Sequence, residues 1–177
     1  MKQFSFAVLV GLTLLVSAFT TIQSMDWQIA EGYSIKFKGT DAEGIFRTLK
    51  GDISFDENDF SKCKFSVTVD VASINTGNGL KNKHAKSSNW FDAQKYPLIS
   101  FNSSKFSKSG NSYKVEGTLE IHGVKKQVAI PFTFNAGKFE GKFAVNRMDY
   151  GVGTMDGMSK KVSNQITLEI SVPVTKK

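Results

Sequence analysis

The chain has 177 residues, 40% of them hydrophobic and 12% aromatic, which suits one domain with a buried core and excludes a solvated, disordered coil. Its single cysteine, Cys63, excludes an internal disulfide and a cysteine-built zinc motif. The net charge of +7 comes from lysines scattered along the chain, with Arg47 and Arg147 the only arginines, and that pattern argues against nucleic acid as a partner.

The first element is a targeting segment. Lys2 supplies a positive start, and the run from Phe4 to Val16 is apolar apart from Ser5, Gly11 and Thr13. That run is too short to span a bilayer, and the small residues after it suit a signal peptidase. The sequence therefore predicts a signal peptide over 1–18, with cleavage between 18 and 24, and a folded domain over 25–175. No cysteine follows the run to carry a lipid anchor. The mature domain is therefore expected to be exported, which in a bacterial cell means the periplasm or the outside.

Alternation of apolar and polar residues then marks eight half-buried strands. In chain order their apolar faces are Tyr33-Ile35-Phe37, Leu49-Gly51-Ile53-Phe55, Cys63-Phe65-Val67-Val69-Val71, Ile99-Phe101, Tyr113-Val115-Gly117-Leu119-Ile121, Val128-Ile130-Phe132-Phe134, Phe139-Gly141-Phe143-Val145 and Ile166-Leu168-Ile170-Val172. Asn135-Ala136-Gly137 reads as a tight hairpin turn, and His122-Gly123 as another. From Asn75 to Pro97 the alternation stops, and the stretch from Lys81 to Lys86 predicts a short helix.

Eight antiparallel strands with one apolar face predict an all-β fold: a single eight-stranded antiparallel barrel with a short helix in the 75–97 loop. By parity Gly51, Gly117 and Gly141 point inward among large residues. They either open a cavity or mark strand bends. A face of phenylalanine and glycine favours a long apolar ligand.

Chemistry-bearing groups are few. His84 and His122 lack metal-ligand spacing, so no metal site is expected. Cys63 reads as a buried, inert thiol, and no nucleophile motif is present, so no catalytic residue and no enzyme activity are expected. Arg47 and Arg147 share the parity of apolar neighbours and are expected to point inward near strand ends. The expected partner of such a buried guanidinium is a carboxylate such as Asp149, Asp92 or Asp56, ahead of a lipid phosphate.

Several motifs recur in one order. They are Trp27-x-Ile29 with Ser34-x-x-Phe37, Leu49-Lys50-Gly51-x-Ile53-x-Phe55-Asp56, and Val67-x-Val69-x-Val71-x-Ser73-Ile74-x-Thr76-Gly77. Asn82-x-His84 follows, with Ser87-x-x-Trp90-Phe91-Asp92 and Tyr96-Pro97-x-Ile99-x-Phe101, then Gly117-x-Leu119-x-Ile121-His122-Gly123 and Arg147-x-Asp149-Tyr150-Gly151-Val152-Gly153. In these the chain resembles the YceI-like family over nearly all of its expected mature length. The resemblance implies a lipocalin-like barrel that holds a polyisoprenoid or similar long lipid, as a carrier or sequestering protein. No cofactor is implied beyond that lipid. The tail is expected against Phe37, Phe65, Val69, Phe91, Phe101, Phe132, Phe134, Phe143 and Leu168, with His84, Arg147 and Asp149 as polar groups at the mouth. Trp90 and Tyr96 belong to the loop that guards it. The rivals are a dry barrel acting as a protein-interaction module and a lipid-modifying enzyme. A passing membrane contact and a dimeric state are left open.

Overall fold

The computed structural model describes residues 25–177, so the predicted signal peptide lies outside the described residues. Eleven antiparallel strands follow in order: β1 (Asp26–Ile29), β2 (Ser34–Gly39), β3 (Ala42–Phe46), β4 (Leu49–Ser54), β5 (Lys64–Asp70), β6 (Ile74–Asn75), β7 (Leu98–Ser109), β8 (Ser112–Ile121), β9 (Val124–Asn135), β10 (Lys138–Asn146) and β11 (Gln165–Lys176). One α-helix, α1 (Gly79–Ala85), lies between β6 and β7. The ring runs β1-β4-β5-β7-β8-β9-β10-β11 and returns to β1.

The eight predicted strands and these eleven are the same barrel. Long β11 pairs with β1 through Val174–Lys176 and with β2 through Thr167–Ser171, so β1 and β2 are one interrupted strand. β3 and β4 are another, broken at Arg47 and Thr48, and β5 and β6 a third, broken by a 3-10 turn at Val71–Ser73.

The breaks persist because side chains satisfy the backbone they release. Tyr33 Oη donates to the Arg47 carbonyl at 2.9 Å and accepts from the Leu49 N–H at 3.1 Å. Ser73 Oγ accepts from the N–H groups of Arg47 and Thr48, both at 3.1 Å. Phe46 and Leu49 are therefore both buried although three residues apart. That slip overturns the inward placement expected for Arg47, which is exposed.

The interior divides into two halves. At the end closed by the β9–β10 hairpin, aromatic rings fill the barrel. Phe55, only 2% exposed, stands edge-on to Tyr113 at 5.2 Å, Phe132 at 5.5 Å, Phe134 at 5.4 Å and Phe139 at 5.4 Å. Phe65 and Phe106 pack edge to face at 4.9 Å beside it. Trp27 closes the base, its Nε1 donating to the Phe55 carbonyl at 2.9 Å. Burying one such phenylalanine contributes about 2–3 kcal/mol. This plug takes Phe55, Phe65, Phe106, Phe132, Phe134 and Phe139 of the chain's 15 phenylalanines.

The plug corrects two expectations. Phe65, Phe132 and Phe134 pack on other rings instead of lining a cavity. Nor do the glycines at 51 and 117 open one: Gly117 is buried as expected, but Gly51, expected inward, is exposed, with φ +135°. A Cβ on Gly51 would run into the carbonyl oxygen of Ser66, and one on Gly117 would meet the Asn102 carbonyl oxygen and sit 2.8 Å from Phe101 Cζ. Both glycines permit close approach of the neighbouring strand, as coiled strands require.

Candidate functional site

Above the plug the barrel holds a cavity of about 490 Å³. Its walls are Ile35 and Phe37 of β2, Phe46 of β3, Val69 of β5, Ile99 of β7, Leu119 and Ile121 of β8, Val145 of β10, and Ile166 and Leu168 of β11. Polar side chains gather at the rim, with Asp41, Glu43, Thr76, Lys81, His84 and Lys161 among them. The volume falls within the roughly 300–1,000 Å³ of small-molecule pockets, and an apolar wall with a polar rim suits an amphiphile.

Two loops roof the cavity. In the first, Asn82 Oδ1 accepts from the Thr76 N–H at 2.8 Å and from Thr76 Oγ1 at 2.7 Å, tying α1 to the end of β6. Asn78 caps the helix, accepting from the N–H groups of Leu80 and Lys81. After the helix the Phe91 N–H donates to the Ala85 carbonyl at 3.0 Å, which turns the Phe91 ring inward, edge-on to Phe46 at 6.0 Å. Tyr96 meets His122 of the β8–β9 turn at 4.6 Å between ring centres.

The second loop, residues 147–163, is organised by Arg147, which is 4% exposed. Its Nε donates to the Ser163 carbonyl at 3.1 Å, Nη1 to that of Val152 at 2.8 Å, and Nη2 to those of Ser159 and Val162, both at 3.1 Å. Its guanidinium also lies 5.3 Å from the centre of the Trp90 ring, which couples the two loops. Burial pulls its pKa below the usual guanidinium value.

This corrects the expected ion pair. Among the described residues no carboxylate lies within salt-bridge distance of Arg147, because converging carbonyl oxygens satisfy the charge. Asp149 is exposed, 4.0 Å from Lys126 Nζ and outside the cavity.

Of the residues singled out from sequence, Phe37, Val69, Phe91, Leu168, His84 and Arg147 meet at the cavity. Phe101 is buried against Gly117, and Phe143 is half-buried on the barrel wall, both away from the lining. Ile74, Phe46, Tyr150 and Val152 also line the cavity and were not singled out as site residues. Tyr150 and Val152 did leave a signal: they are apolar residues in a stretch without alternation, and they are 2% and 4% exposed. Cys63 is half-buried at the base, where desolvation raises its thiol pKa.

Comparison with known proteins gives relatives over the same region. A UPF0312 protein of Vibrio campbellii is 33% identical over 138 residues, covering 72% of each chain. Protein YceI of Escherichia coli is 27% identical over 139 residues, covering 73% of this chain and 71% of its own. Among solved structures, BcnA of Burkholderia cenocepacia superimposes with a TM-score of 0.74 at 28% identity, covering 81% of this chain and 96% of its own. A polyisoprenoid-binding domain from Saccharophagus degradans shares the fold, with a TM-score of 0.63 at 13% identity, over 88% of this chain and all of its own. The YceI-like domain model matches residues 21–174, and the chain belongs to that family.

Proposed function

We propose that this protein is exported and holds an isoprenoid or similar long apolar lipid in the cavity of its barrel, for carriage or sequestration in the cell envelope. One observation carries the reading: the cavity wall from Ile35 to Leu168 is apolar, and apart from buried Arg147 and Tyr150 the ionisable side chains that line it, Asp41, Glu43, Lys81, His84 and Lys161, are exposed at the rim. Binding then comes from burial of the tail, at about 25 cal/mol per Å² of apolar surface. The lipid's polar head stays at the mouth, near Lys81, His84 and Lys161. The polyisoprenoid-binding domain that shares this fold supports the same ligand class. The role is binding, with the lipid leaving as it entered.

The test is native mass spectrometry of the mature protein purified without detergent, followed by organic extraction of what it carries. A discrete added mass that extracts as a prenyl lipid or quinone is the expected result. A bare mass that stays bare after incubation with prenyl and fatty lipids would sink the reading in favour of a dry interaction module.

A further inference from the structure

Among the described residues the exposed large apolar side chains are Leu80, Leu98, Val124 and Met155, and all four stand at the mouth of the barrel. Leu80 precedes Lys81 in α1, and Leu98 precedes Ile99 at the start of β7; Lys81 and Ile99 both line the cavity. Val124 pairs across the β8–β9 turn with Ile121, another lining residue. Met155 belongs to the second roofing loop, its Sδ 4.0 Å from Arg147 Nη2. None of the four lies at the end closed by the β9–β10 hairpin. Single exposed apolar residues scattered over a surface are ordinary, but their gathering at one end marks a contact.

Positive charge gathers beside them. The loop that carries Leu80, residues 75–97, holds Lys81, Lys83, Lys86 and Lys95 against one carboxylate, Asp92. Lys83, one helical turn on, shares the face of Leu80. Lys160 and Lys161 follow Met155 in the second loop. Among the described residues Lys81, Lys83, Lys86, Lys160 and Lys161 form no ion pair, whereas Glu120 and Asp149 are held by Lys125 and Lys126 at 3.7 and 4.0 Å. The other carboxylates of this end, Asp41, Glu43 and Asp156, leave the lysines in excess. Apolar tips on four separate elements around an opening call for a broad partner, and unpaired ammonium groups beside them call for an anionic one. A bilayer surface with acidic headgroups is both, since apolar tips enter its interface while lysines reach its phosphates.

We propose that the mouth end docks on an anionic lipid bilayer, with Leu80 and Met155 in the interface and the lysines of the two roofing loops against lipid phosphates, so that a lipid passes between membrane and cavity without crossing water. The docking stands on the surface itself, and only the passage rests on the lipid-binding reading.

The test is flotation of the mature protein with phosphatidylcholine vesicles, with and without phosphatidylglycerol, at low salt. One variant combines Leu80→Gln and Met155→Gln, and a second combines Lys83→Gln, Lys86→Gln and Lys160→Gln. A charge-matched control at the plug end combines Lys64→Gln, Lys108→Gln and Lys138→Gln. All eight side chains are exposed, and far-ultraviolet circular dichroism checks that each variant folds. The natural chain is expected to float with the phosphatidylglycerol vesicles, less so as salt rises. Each mouth variant is expected to lose affinity about tenfold or more, and the control to keep it, because salt screens charges at the far end. A natural chain that floats with neither vesicle, or equal binding by the mouth and plug-end variants, would overturn the docking and turn the patch over to a protein partner. Native mass spectrometry of the floated protein, from vesicles supplied with geranylgeraniol, separates the two readings. A chain that carries a prenyl lipid yet stays off the vesicles overturns the docking alone. One that floats but never acquires geranylgeraniol upholds the docking and overturns the binding reading.

Discussion

The guanidinium of Arg147 and the indole of Trp90 stand 5.3 Å apart and join the two loops that roof the cavity. The same guanidinium gathers the carbonyls of Val152, Ser159, Val162 and Ser163. One side chain thus fixes a loop that has no strand ladder of its own.

Removing it leaves several carbonyls without their donor in a largely buried site. Arg147→Met is expected to destabilise the protein by about 3 kcal/mol or more, read from the urea midpoint. Arg147→Lys should recover only a small part, because a single ammonium cannot reach carbonyls spread around a planar fork. A loss under about 1 kcal/mol for the methionine variant would show that the loop is held by other contacts.

Gly153 is pressed between those two residues. It has φ +77°, and a Cβ on it would lie 2.6 Å from Arg147 Nη1 and 2.8 Å from Trp90 Cζ3. Gly153→Ala is expected to cost about 2 kcal/mol, combining left-handed strain with the displaced ring. It should also lower the fluorescence anisotropy of Trp90 once Trp27 is replaced by phenylalanine. An unchanged melting curve would contradict the packing.

Mutations in the two halves of the barrel should separate. Phe55→Ala in the plug is expected to cost about 3–5 kcal/mol in urea unfolding. Phe132→Asp should act in the same way, because Phe132 belongs to that cluster. Leu168→Arg, on the cavity wall, is expected to abolish retention of a co-purified lipid while the far-ultraviolet circular dichroism stays native. Equal lipid content in Leu168→Arg and the natural protein would remove the cavity from the function.

Alkaline pH should weaken the fold through its tyrosines. The Tyr113 hydroxyl donates to Glu57, and that hydrogen bond, then desolvation, raises its pKa. Burial raises that of Tyr150, and the charge of Asp149 adds to it. A raised folded pKa means the unfolded chain loses its protons first. The stabilisation is thus complete below the unfolded value, about 10, and fades as pH climbs through the folded values. Urea midpoints should be flat from pH 7 to about 9 with respect to these groups and fall above about 10. Tyr113→Phe should make that fall shallower, and an identical slope would show that Tyr113 does not contribute.

Local chemistry carried much of this protein into view. Alternation alone fixed which side of each long strand faces inward, since a pleated backbone turns successive side chains to opposite faces. It worked for Phe55 and Val115, each 2% exposed. The turns were legible for the same local reason. His122 and Gly123 have φ +52° and +75°, and Ala136 and Gly137 have +48° and +72°, as two-residue hairpins demand. The ordered motifs were legible too, and the family follows from them.

Height along the barrel was not written in any one strand. Parity places Phe65, Phe132 and Leu168 all inside, yet the first two join the plug and the third lines the cavity, because level is set by the stagger between neighbouring strands. The partners of Arg147 were equally hidden. They are backbone carbonyls, which every residue carries, so nothing in the sequence distinguishes them until the loop has folded around the charge. Composition and period, then, decided that this chain forms a barrel with an apolar interior. Only the tertiary structure decided which half of that interior is filled and which half is open, since each depends on hydrogen bonds and packing between residues far apart in the chain.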